Sequence, residues 1–209
     1  MILYIVCLCL SACFAFAFLT FNGKISKALC GYFKAAATLI LAVPAYRAFA
    51  VSQYVVFLLI GVGITLCAVA DYIIHFKFIP GAVVFAAAHC VFAPAFIIYG
   101  SRLPYAIGAF VIFSLLCAFA LARIELEPQL RFPATMYAAV IGVMFSFAFG
   151  AATYGESFGI TVLISAAAFV ASDAILVAGL EKPQSRKRDI ILMTLYYLAN
   201  AGFSLACSL

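Results

Sequence analysis

The chain has 209 residues, of which 69% are hydrophobic and only 9% charged, with a formal net charge of +5. A soluble domain carries about 25% charged residues, so this composition excludes a water-soluble enzyme and describes an all-α polytopic membrane protein folded as a single transmembrane domain. Mean hydropathy is +1.26.

Taken in chain order, apolar runs long enough to cross a bilayer, about 20 residues each, fall near 2–21, 29–46, 54–75, 80–99, 104–122, 133–150, 157–179 and 190–208. The first has no basic n-region, so it reads as an uncleaved helix rather than a signal peptide, and its Leu10-Ser11-Ala12-Cys13 box as coincidence. Loops are short, so consecutive helices are expected to be antiparallel neighbours; the longest polar insert, GLEKPQSRKRD, is a linker.

Charge sets orientation. Loops 1, 3, 5 and 7 with their helix ends carry ten cations, Lys24, Lys27, Lys34, Lys77, Arg123, Arg131, Lys182, Arg186, Lys187 and Arg188, while the opposite side carries two, Arg47 and Arg102. The positive-inside rule then puts the odd loops in the cytosol and both termini on the other side. The basic balance reflects topology and anionic lipid heads, not nucleic acid. The membrane is expected to be a bacterial cytoplasmic membrane or an internal eukaryotic one. Spans 3–4 and 7–8 each pair a late Asp with a following helix that is polar midway, which suggests a parallel 4+4 pseudo-repeat.

Cysteines number eight, but they lie in or at the edge of apolar runs and behave as small hydrophobes. With only His75 and His89 present, a three-His zinc site cannot be assembled. No cofactor or metal is expected.

The informative residues are polar groups in the wrong solvent. Asp71 and Asp173 stand in uncharged apolar stretches, and an intramembrane carboxylate marks a functional site unless it is paired. At 1.5 Å per residue, Lys34 lies roughly 8 Å deep, and His89 and Asn200 roughly 14 Å deep, all in the cytosolic half. Asp71, Asp173, Tyr196 and Tyr197 fall in the same half. One cytosol-facing cavity lined by spans 2, 3, 4, 7 and 8 is therefore expected. Simpler uses exist for each: snorkelling for Lys34, a solvated helix end for His75, an interhelical hydrogen bond for Asn200. A Lys34–Asp ion pair accounts for one aspartate and leaves the other without a partner. Glu125, Glu127 and Glu156 sit in loops and are assigned no chemistry.

At these residues the chain resembles the YhhN/TMEM86 family of integral membrane proteins, the lysoplasmalogenases. The likeness runs from GYFKAAATL in span 2 through the late Asp of span 3 and FIPGAVVFAAAHCVF in span 4. It continues in Ser172-Asp173 and in LMTLYYLANAGF of span 8. The resemblance implies metal-independent hydrolysis of the vinyl ether of a lysoplasmalogen, giving a fatty aldehyde and glycerophosphoethanolamine or glycerophosphocholine. It also implies Asp71 and Asp173 as catalytic groups.

The chemistry suits two carboxyl groups, one delivering a proton to carbon and one stabilising the oxocarbenium ion and activating water, as in glycoside hydrolysis. On this reading Asp71 and Asp173 form the pair. His89 or the tyrosines Tyr196 and Tyr197 orient water or the leaving oxygen, Lys34 binds the phosphate of the lysophospholipid, and Asn200 joins Lys34 and the two tyrosines as a substrate-binding residue. Two alternatives stay open: a proton-coupled carrier of small molecules or lipids, and a lysolipid-binding membrane protein without turnover.

Overall fold

In the computed structural model the residues described are 1–209 except Glu125, Glu181, Lys182 and Gln184. Two residues weighed from the sequence, Lys182 and Glu125, therefore lie outside the described residues. The helices among them are α1 (Ile2–Phe21), α2 (Lys27–Ile40), α3 (Val43–Ser52), α4 (Val55–Ile74), α5 (Phe78–Tyr99), α6 (Leu103–Arg123), α7 (Pro128–Ala152), α8 (Ser157–Ala178) and α9 (Arg186–Ala206). Eight spans result, because α2 and α3 together form one of 26 residues. In hydrocarbon only a helix or a closed barrel satisfies its own backbone, so apolar length translates directly into helix.

Two boundaries depart most from the sequence expectation. The second span runs to Ser52 rather than 46, and it breaks near Leu41. Pro44 has no N–H for the Ile40 carbonyl, and the chain tightens into three-residue turns, Leu41 N to Thr38 O at 3.1 Å and Ala42 N to Leu39 O at 3.0 Å. The sixth span begins at Pro128 rather than 133 and passes through Pro133. Pro128 suits the first helical turn, and Pro133 costs the helix the one bond that would have ended on the Gln129 carbonyl.

The packing order repeats. In the first four spans α1 packs on α2, α2 and α3 on α4, and α4 on α5; in the second four α6 packs on α7, α7 on α8, and α8 on α9. Across the halves α5 packs on α7, and α9 packs on α1, α2, α3 and α4. Lipid tails are as apolar as leucine, so close backbone approach and interhelical hydrogen bonds hold such a bundle. Gly81 shows the first: a Cβ there would lie 2.5 Å from the Ile74 Cβ, which is how α4 and α5 turn so tightly about one another. Tyr4 and Ser11 show the second, donating from α1 to the Ala201 and Ala37 carbonyls. Phe92, Phe96, Phe169 and Phe203 are fully buried at the centre. By contrast α6 buries only Ala106 and lies at the periphery.

Candidate functional site

The polar groups gather towards the end of the bundle where α1 joins α2, α4 joins α5, α6 joins α7 and α8 joins α9, but they form two clusters rather than one. On α2, Lys34 and Thr38 are one turn apart and share a face. That face meets Asp71, three residues before the end of α4. The Lys34 Nζ lies 3.1 Å from Asp71 Oδ1, and Thr38 Oγ1 donates to Asp71 Oδ2 at 2.6 Å. Tyr196 from α9 donates to the same Oδ2 at 2.6 Å, with its ring 5.7 Å below the ammonium. Asp71 is fully buried and the Lys34 side chain 12% exposed. Burial of each ion costs several kcal/mol, which is tolerable only when the partner and added hydrogen bonds are as close as these.

The second cluster is built the same way by the other half. Tyr137 on α7 donates to Asp173 Oδ2 on α8 at 2.7 Å, and the same hydroxyl lies 3.1 Å from His89 Nε2 on α5. With the phenol proton directed at Asp173, His89 serves as the Nε2 donor. His89 Nε2 itself is 3.8 Å from Asp173 Oδ2, beyond ordinary hydrogen-bond reach. Among the described residues the other carboxylate oxygen, Oδ1, has only Ser172 Oγ at a long 3.5 Å. His89 is fully buried, and its Nδ1 has no hydrogen-bond partner among the described residues. Each aspartate thus accepts from the span before it and faces a residue on the last span of the opposite half. One partner set contains a lysine, the other a histidine and a tyrosine.

Between the clusters stand Phe85 and Phe169. Phe169 lies edge-on to His89 at 4.6 Å and to Tyr196 at 5.4 Å between ring centroids, and Phe85 meets Tyr196 at 5.8 Å. Asp71 and Asp173, expected from the sequence to act as one pair, have separate partners. Phenyl rings separate their partners.

A cavity of about 320 Å³ approaches Asp173 only. It runs between α5, α7 and α8, from Leu180, Leu130 and Phe78 at the bundle end down to Tyr137, Val140 and Ala86, and among the described residues its only side chains with polar atoms are those of Asp173 and Tyr137. Along its outer wall Ile79 and Val83 of α5 and Phe132 and Met136 of α7 are exposed on the lipid-facing side. The expected lining by spans 2, 3, 4, 7 and 8 is corrected here. Span 6 supplies a whole wall, while Lys34, Asp71 and the α9 residues take no part.

The remaining expected site residues are placed as follows. Lys34 is engaged by Asp71 and does not line the cavity. Tyr197 packs its ring on Tyr196 at 5.4 Å, and its hydroxyl has no hydrogen-bond partner. Asn200, fully buried, donates to the Tyr196 carbonyl at 3.0 Å and so braces α9. His75 caps α4 against Phe18, at 6.0 Å between ring centroids. Among the described residues no three His, Cys, Asp or Glu side chains converge as metal ligands.

Thr38 and Tyr137 escaped the sequence reading, though a signal existed for both. Thr38 shares a helix face with Lys34, and Tyr137 lies nine residues into α7, near the depth of His89.

A family model described as the YhhN family matches residues 29–207, and the chain belongs to that family; α1 lies outside the match. No curated protein and no solved structure gives a match.

Proposed function

We propose that this YhhN-family membrane protein hydrolyses the vinyl ether bond of lysoplasmalogens, with Asp173 as the acid. The observation that carries this reading is a single carboxyl group at the inner end of an otherwise apolar, lipid-flanked cavity, hydrogen-bonded to Tyr137 beside His89. A single-chain lipid with an acid-labile bond beside its glycerol matches that chemistry.

The protonated Asp173 Oδ1 gives its proton to the β-carbon of the vinyl ether. The double-bond electrons form the new C–H bond and leave an oxocarbenium ion at the α-carbon. Water adds to that carbon and its proton passes to the Asp173 carboxylate, with His89 placed to steady the charge. The resulting hemiacetal breaks its bond to the glycerol oxygen. That oxygen takes a proton as the hemiacetal hydroxyl loses one, and the aldehyde forms. Asp71, behind the Phe85–Phe169 wall, acts at a distance: its cluster ties α2, α4 and α9 together around that wall. With the lysine- and arginine-rich end in the cytosol, the cavity serves the inner leaflet.

The test is aldehyde release, followed by mass spectrometry, from purified protein given a lysoplasmalogen and, separately, the matching ester-linked lysophospholipid. Aldehyde from the first and no fatty acid from the second is expected. Asp173→Asn should lower the rate by about 10²-fold or more, the usual contribution of a positioned acid. Wild-type activity in Asp173→Asn refutes the assignment. Fatty acid from the ester makes the protein a lysophospholipase, lipid flux into vesicles without cleavage makes it a carrier, and binding without product makes it a lysolipid-binding protein.

A further inference from the structure

The mechanism above leaves one cavity-lining polar residue without a task. Tyr137 is held from two sides: its ring lies edge-on to the His89 imidazole at 5.7 Å, and its hydroxyl bridges His89 Nε2 at 3.1 Å and Asp173 Oδ2 at 2.7 Å. A tyrosine has two side-chain torsions, so these contacts fix the hydroxyl. Among the described residues Asp173, by contrast, has no other short bond. Ser172 Oγ stands 3.5 Å away and also donates to the Phe169 carbonyl at 3.0 Å.

We infer that Tyr137 is a positioning residue that clamps Asp173 Oδ2, so that Oδ1 is the oxygen presented to the cavity with the transferable proton. This rests on Asp173 being the reacting carboxyl. Without the clamp the carboxyl rotates about its last torsion, which is broad and roughly two-fold, and the proton is distributed over both oxygens. His89 contributes through Tyr137: its Nε2–H supplies the phenol oxygen with a hydrogen bond, which keeps the phenol proton directed at Asp173. The asymmetry between the two halves gives the arrangement its use. Asp71 is gripped by an ammonium and two hydroxyls, so both of its oxygens and its torsion are held. Asp173 is gripped on one oxygen only, and the other is left to react.

The experiment uses Tyr137→Phe, which keeps the ring and removes the clamp. In the full-length protein kcat should fall about 10²-fold, the scale of a misoriented reacting group, while KM for the lysoplasmalogen stays within twofold because the cavity keeps its shape. The second readout does not need turnover. The Asp173 carboxyl band in the infrared spectrum, identified by its loss in Asp173→Asn, should move in Tyr137→Phe. Replacing Tyr137 by 3,5-difluorotyrosine, which retains the hydroxyl and strengthens it as a donor, should move the band the opposite way and leave the fold intact even if Tyr137→Phe does not fold. An unmoved band in the fluorinated protein, or a Tyr137→Phe enzyme with wild-type kcat, overturns the inference. If the wild type releases no aldehyde, the proposed function fails on its own, and the infrared arm still decides whether Tyr137 holds Asp173.

Discussion

Replacing Lys34 by Met retains most of the side-chain volume on α2 and removes one charge from the Asp71 cluster. Asp71 is left fully buried, still accepting from Thr38 and Tyr196 at 2.6 Å each but without the ammonium at 3.1 Å. Breaking a buried pair by removing one partner costs about 3–5 kcal/mol, and the two short hydroxyl bonds that remain put this case near about 3 kcal/mol. Asp71→Asn is the milder change. Lys34 is 12% exposed and one or two turns from the helix start, so its ammonium can reach polar surroundings, and a loss of about 1 kcal/mol is expected. Combining Lys34→Met with Asp71→Asn removes both charges, leaves an amide oxygen for the two hydroxyls, and should lie within about 1 kcal/mol of the wild type, since neutral replacement of a buried pair is often tolerated. Unfolding in mixed micelles, followed by circular dichroism, gives the four stabilities and their coupling. The reasoning is refuted if Lys34→Met is no more destabilising than Asp71→Asn, or if the double variant is worse than Lys34→Met alone.

The outer wall of the cavity offers a test of substrate entry. Val83 and Met136 are 62% and 48% exposed on facing helices, and Val83→Trp with Met136→Trp should raise KM for a long-chain lysoplasmalogen about tenfold with kcat retained, the scale at which a few methylenes are excluded. Equal KM in the variant would mean that the chain enters elsewhere. A pH effect is expected at His75, in the connection between α4 and α5. Partial burial, and then the nearby Lys34 and Lys27 charges, hold its imidazole below the ordinary value of 6.5. The unfolded chain takes up that proton more readily, so stability is intact above about pH 6.5 and declines as pH falls below it. His75→Gln should flatten the decline, and an unchanged slope between pH 7.5 and 5.5 would rule His75 out as its source.

Much of this architecture is written in the sequence because charge and hydrocarbon do not mix. Lys77 and Arg102 bracket α5, Arg123 ends α6, and expected 80–99 became Phe78–Tyr99. The same logic placed Lys34, Asp71, His89, Asp173 and Tyr196 in one half of the bundle, since distance along a helix axis is counted in residues. What the sequence could not supply was rotation about those axes. A span facing lipid and a span facing another span are almost equally apolar, so no periodic stripe tells the faces apart. Hence Tyr137, readable as one more packing aromatic, is hydrogen-bonded to Asp173, and Lys34 is paired with Asp71. The length of each apolar run determined how many times this chain crosses the bilayer and how deep its charges lie. Only the packing of the helices decided that two similar aspartates, at matching places in two similar halves, would be one sealed in an ion pair and the other open to a cavity.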